Sequence, residues 1–219
     1  ELAWRVLDAD KTSTNSNGIF LITKYLQGSG SQYGDVYFNK VKSKGNTWKN
    51  SDAQSWCTSF LENSFSDAEK NAISQTYKYD SSYTTKETNF ANAVNFSSCS
   101  LSGDKVFFLS AEEAEKYFSD EADRGARYKG KSMPWWLRSP VRNKSQYAGN
   151  IGDYGWIMAI SVDHNYNGST LSARPALNLS SSSVLFSSSP NGKKSSVTGL
   201  YEPESGEINE WKLTVTDSS

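Results

Sequence analysis

Apolar residues in this chain come in short runs, and turn-forming residues break every one of them. Trp4–Leu7, Ile19–Ile22, Val106–Leu109, Trp135–Leu137, Trp156–Val162 and Ala173–Leu179 are of strand length, and Gly, Asn, Asp, Ser or Pro punctuate the sequence between them. Runs this short fall well below the roughly 20 residues a bilayer-spanning helix needs. Short strands with turn chemistry between them are the pattern of an antiparallel meander. Helical signals are brief. Ser51-Asp52 can cap a helix carrying Trp56, Phe60 and Leu61 on one face. Ser66-Asp67-Ala68-Glu69 and Ser110-Ala111-Glu112-Glu113 both match the S-x-x-E capping box. The first opens a short helix through Ile73. The second opens one with Ala114, Tyr117 and Phe118 as its apolar face, fed directly by the Val106–Leu109 strand. The expectation is therefore an α+β fold, a twisted antiparallel sheet with two or three short helices at its side.

The rest of the chain is read by punctuation. Residues 1–24 form a hairpin around a polar turn, residues 28–47 a long loop, Thr76–Tyr79 a strand and 80–92 a polar loop. Val184–Phe186 and Trp211–Val215 are candidate strands of a β tail covering 181–219, which leaves 1–180 as one domain. A chain of 219 residues is long enough for one domain of the larger kind.

Composition excludes some partners. Lys and Arg number 23 against 24 Asp and Glu, a net charge of −1, so nothing draws the chain toward nucleic acid or anionic membrane. Aromatics reach 13% and serine about one residue in six, a balance that suits a secreted or cell-surface protein using Tyr and Trp both to pack and to bind. Cys57 and Cys99 allow two readings, one disulfide in an exported protein or two buried thiols.

Candidate chemistry concentrates late. Asp163-His164-Asn165-Tyr166-Asn167-Gly168 matches the start of a calcium loop, but Arg174 stands where an EF-hand has its bidentate Glu. A looser calcium site would use Asp163, Asn165 and Asn167 with Asp153 from the preceding loop, and a polar hairpin loop is the competing reading. No other cofactor is indicated. His164 is the only histidine, and no nucleophile elbow, phosphate loop or C-x-x-C accompanies it. Glu112, Glu113 and Glu115 read as the solvated face of one helix. Arg138 and Arg174, set among apolar residues, read as structural, satisfying carbonyls or a carboxylate. Trp135 and Trp136 should present one ring to each face of a strand, one in the core and the other partly exposed, while Trp4 and Trp156 read as core. Tyr147, Asn150, Asp153, Tyr154, His164, Asn165, Tyr166 and Asn167 cluster in two successive loops, where aromatic faces and amide or carboxylate groups could meet a glycan or a protein.

Five motifs stand in order: Trp4-Arg5-Val6-Leu7, Phe65-Ser66-Asp67-Ala68-Glu69-Lys70, Lys105-Val106-Phe107-Phe108-Leu109-Ser110, Trp135-Trp136-Leu137-Arg138-Ser139-Pro140 and Ala173-Arg174-Pro175-Ala176-Leu177-Asn178-Leu179. Together they resemble an uncharacterised exported bacterial domain family. The pattern is distantly similar to formylglycine-generating enzymes, bacterial surface modules and retroelement-diversified receptors, which implies a C-type-lectin-like fold. Those enzymes carry reactive cysteines in their C-terminal half; here both cysteines precede the Trp-rich segment. The resemblance carries no established activity; with the late-loop residues, the expectation is an exported, non-enzymatic binding or adhesion module at the cell surface, with a hydrolase-like enzyme or a structural spacer as alternatives.

Overall fold

The short apolar runs become strands, and the capped segments between them become helices. The computed structural model describes residues 2–9, 18–28, 36–86, 94–164 and 171–180, and the backbone of two strands at 184–188 and 212–215. In chain order the strands are β1 (Trp4–Asp8), β2 (Gly18–Thr23), β3 (Thr76–Lys78), β4 (Tyr83–Thr84), β5 (Asn95–Phe96), β6 (Leu101–Asp104), β7 (Val106–Phe107), β8 (Arg127–Tyr128), β9 (Lys131–Ser132), β10 (Trp135–Pro140), β11 (Tyr147–Ile151), β12 (Ile157–Ser161), β13 (Ala176–Ser180), β14 (Val184–Ser188) and β15 (Lys212–Val215). The helices are α1 (Asp52–Ser64), α2 (Asp67–Ala72), α3 (Ala111–Tyr117) and α4 (Glu121–Arg124). The architecture is mixed α+β, with mostly antiparallel strands in small sheets.

One sheet runs β1-β2-β13-β7 and a second β10-β11-β12, while β3-β6, β4-β5, β8-β9 and β14-β15 are two-stranded pairs. In the first sheet β13 pairs antiparallel with β2, from Ala176 opposite Ile22 to Ser180 opposite Gly18, so the first hairpin is closed by a strand from far along the chain. All six residues of β2 are buried.

The helices obey their local signals. Ser51 Oγ accepts the Gln54 amide, and Ala53, Cys57 and Leu61, four apart, turn inward along α1. Both predicted capping boxes form, Ser66 with Glu69 at α2 and Ser110 with Glu113 at α3. Asp120 caps α4, a helix the sequence reading did not contain.

Four expectations change. The stretch 28–47 supplies core residues: Val36 and Phe38 are buried, and neighbouring Trp48 packs 6.4 Å from Phe38 and 5.5 Å from Phe108. These residues reach the core singly, so they leave no periodic trace. The polar stretch from Asp80 contains β4, which pairs with β5, and its residues 87–92 lie outside the described residues. Trp135 and Trp136 are both fully buried, because β10 is covered on both faces. Trp135 packs toward Phe118 and donates to the Arg124 carbonyl, while Trp136 packs toward Phe38 and donates to the Val36 carbonyl at 2.6 Å. Trp4 and Trp156 are only half-buried.

Candidate functional site

Among the described residues the two late loops do not form one cluster. β11 and β12 pair antiparallel in five rows, from Ile151 opposite Ile157 to Tyr147 opposite Ser161. Asp153 and Tyr154 occupy the turn at one end of this hairpin; Tyr147, Asp163 and His164 lie at the other. At roughly 3.4 Å per residue the ladder alone separates the ends by about 14 Å. Asp153 and Asp163 therefore cannot share one calcium ion, and the proposed cation site does not assemble. Asp163 is instead engaged by Ser161 Oγ at 2.6 Å and by Lys42 at 3.6 Å. Among the described residues no group of three or more His, Cys, Asp or Glu is placed to hold a metal. Asn165, Tyr166 and Asn167 lie outside the described residues. Asn150 is buried within β11, not in a surface loop.

The tip at 152–156 is a firm structure. The Gly152 amide donates to the Trp156 carbonyl at 2.8 Å, and the Gly155 amide to the Gly152 carbonyl at 2.9 Å. From outside the hairpin, Ser132 Oγ donates to the Asp153 carbonyl and Arg124 Nε to the Gly155 carbonyl, each at 2.8 Å. Gly155 has φ +90°, and a Cβ there would lie 1.6 Å from the Glu121 carbonyl oxygen, so only glycine lets the turn seat against α4. On this support Tyr154 is 73% exposed. Its ring stands 5.3 Å from half-buried Trp156, with planes at 45°.

Beside α4 lies a pocket of about 560 Å³, bordered by α3, α4 and the β4 region. Glu112, Glu115, Asp120 and Glu121 line it together with Lys86, Lys116 and Arg124, and Tyr83 and Phe118 complete its wall. Glu115 is occupied within the protein: Tyr83 Oη and Thr85 Oγ1 donate to it, and the Lys86 amide does so at 2.8 Å. Burial, and then the bond to Glu115, push the Tyr83 phenol pKa up. The three glutamates of α3 thus do not share one solvated face. At about 100° per residue Glu113 points well away from both others; it is buried, Glu115 is half-buried and Glu112 is exposed.

The family model described as a domain of unknown function (DUF6273) matches residues 16–181. The chain belongs to the DUF6273 family. The match takes in β2 through β13, and with them the hairpin tip and the pocket. No curated protein matches the chain, and no solved structure does.

Inside the DUF6273 domain, the arginine of the Trp-rich strand organises a buried charge cluster. Arg138 is fully buried; its Nη1 donates to Glu113 at 2.6 Å and to the Phe108 carbonyl at 2.6 Å, its Nη2 to Asp80 at 2.5 Å and its Nε to the Cys99 carbonyl at 3.1 Å. Lys78 closes the ring, 2.8 Å from Asp80 and 2.7 Å from Glu113. Burial alone would raise the Glu113 pKa, but Arg138 and Lys78 outweigh it and hold it at about 2. Arg174, also buried, bonds to the Thr23 and Arg124 carbonyls and lies 5.1 Å over both Phe118 and Trp135. Burial lowers its pKa to about 10. Both arginines are structural in the DUF6273 domain. Its two cysteines are buried free thiols rather than a disulfide, and Cys99 Sγ lies against Ser139 Oγ at 3.4 Å. Neither the partners of Arg138 nor the pocket residues Tyr83 and Arg124 are legible in the sequence, since nothing local marks residues that meet only through space.

Proposed function

We propose that this DUF6273 domain is an exported or cell-surface, non-enzymatic binding module that holds a glycan on the tip of the β11–β12 hairpin. The observation that carries the reading is Tyr154, 73% exposed beside Trp156 on a turn that α4 and Ser132 hold still. A large apolar ring held in water by a rigid support has its desolvation and ordering cost reduced before a ligand arrives. The C–H faces of a sugar ring carry partial positive charge and stack on the negative face of an aromatic ring. Asp153 beside it supplies an acceptor for hydroxyls. A C-type-lectin-like architecture is the finer reading of the fold. It is supported by the pairing of the first hairpin with β13 and by the second sheet and the short helices beside it.

Two features favour binding over catalysis. The chain's only histidine, His164, stands at the opposite end of the hairpin from the tip. The most tightly held carboxylate of the pocket, Glu115, is taken up by three donors of the protein itself. The serine-rich, aromatic-rich composition supports a surface location. A glycan array tests the reading: the wild-type domain should give discrete hits, and Tyr154→Ala should weaken them at least about tenfold, the equivalent of about 1.4 kcal/mol, with an unchanged melting temperature. A wild-type domain with no hits, or a variant that keeps them all, rejects it.

A further inference from the structure

We infer that the hairpin tip and the pocket behind α4 form one extended saccharide site, in which the pocket takes the terminal ring of a neutral glycan. This rests on the glycan reading of the tip and assigns the pocket to the same ligand.

The connection runs through α4. Glu121 and Arg124 line the pocket. The same two residues hold the tip, Glu121 through its carbonyl packed against Gly155 and Arg124 through its Nε bond to the Gly155 carbonyl. A helix of four residues is only about 6 Å long, a distance that a few linked sugar rings cross. A chain stacked on Tyr154 therefore has the pocket mouth within reach over one turn of helix.

The lining chemistry selects the ligand class. Four carboxylates and three cations line the pocket together, so no strong field of either sign fills it. A charged ligand would meet charges of both signs there. A hydroxyl both donates and accepts, and it can use neighbouring acids and bases together. Glu115 and Asp120 are committed, the first to Tyr83 and Thr85, the second to capping α4. Among the described residues the carboxylates of Glu112 and Glu121 make no hydrogen bond or ion pair, and both residues line the pocket, where their carboxylates would accept from ligand hydroxyls. Half-buried Tyr83 adds an aromatic surface. A volume of about 560 Å³ is within the span of small-molecule sites, roughly 300–1,000 Å³.

Calorimetric titration with neutral gluco-, galacto- and manno-oligosaccharides, from monosaccharide to hexasaccharide, tests this. The proteins are wild type, Tyr154→Ala and the double variant Glu112→Gln with Glu121→Gln, whose near-isosteric changes keep the fold. For wild type, affinity should rise with chain length and hold steady as salt is added. Both variants should weaken the longest bound chain by about tenfold, whereas the monosaccharide should respond to the double variant alone. Amide shifts of the wild-type domain, read by NMR during titration, should move at residues 112 and 121 as well as at 154. If the double variant binds every sugar as wild type does, and shifts appear only at 152–156, the sugar sits on the tip alone; the extended site is then wrong while the glycan reading stands. If no sugar binds the wild-type domain, both are wrong.

Discussion

Arg138 shows how much one side chain can carry. It sits in an apolar strand, which marks it as structural from sequence, but its partners Glu113 and Asp80 lie 25 and 58 residues away. Removing one member of a buried ion cluster leaves the others desolvated and uncompensated, which typically costs about 3–5 kcal/mol. Arg138→Met should lower the urea-unfolding free energy by that amount. Gly155 makes the complementary case for a residue with no side chain. Gly155→Ala meets both a left-handed φ and the Glu121 carbonyl, and should cost about 3 kcal/mol by the same measurement. The thiols give a third outcome at this scale. Burial raises both pKa values, that of Cys99 to about 11 with Arg138 opposing. The native domain should therefore react very slowly with a thiol reagent, and both cysteines should react on unfolding without reduction. Prompt labelling of the folded domain would be inconsistent with buried thiols.

Elements were the most legible level, because what makes them is local. The capping boxes at Ser66 and Ser110 named the starts of α2 and α3, since each is closed by residues three apart. At α3 the box does more than start a helix: Glu113 accepts the Ser110 amide at 2.8 Å through the same Oε2 that receives Arg138. Ser110→Ala should cost about 1 kcal/mol as the loss of a cap. Glu113→Ala, which loses the cap and the cluster together, should cost several times that, about 3–5 kcal/mol. Equal losses in a denaturant titration of the two variants would mean that the ion cluster adds nothing. What the elements did not disclose was their coverage. Trp135 and Trp136 point to opposite faces of β10 as alternation demands, but only the layers packed on each side decide that both are buried.

For the whole molecule, these charges set the response to acid. Glu113 titrates at about 2 in the folded domain against an ordinary 4.5, and Asp123, bonded to Arg5, is likewise held at about 2 against 3.8. Between those limits the unfolded chain binds more protons than the folded one. The stability they contribute is complete above the ordinary carboxylate range and is lost as pH falls through about 2. Urea midpoints should stay level from neutrality to about pH 5 and then fall steeply toward pH 2, and Glu113→Gln should flatten that fall.

The sequence by itself determined where the longer apolar strands and the helices α1, α2 and α3 lie, how those helices begin, that the fold is α+β, and that the motif order marks a family. These follow from side-chain alternation, turn residues and caps, whose interactions close within a few positions. Only the tertiary structure decided which of those pieces meet. Two loops that follow each other in sequence stand at opposite ends of the strand between them. Three glutamates on one helix receive three different environments. A turn at residue 155 and a helix at 121 become one support for an exposed tyrosine. Such meetings depend on how sheets and helices stack, and no local pattern of residues encodes them.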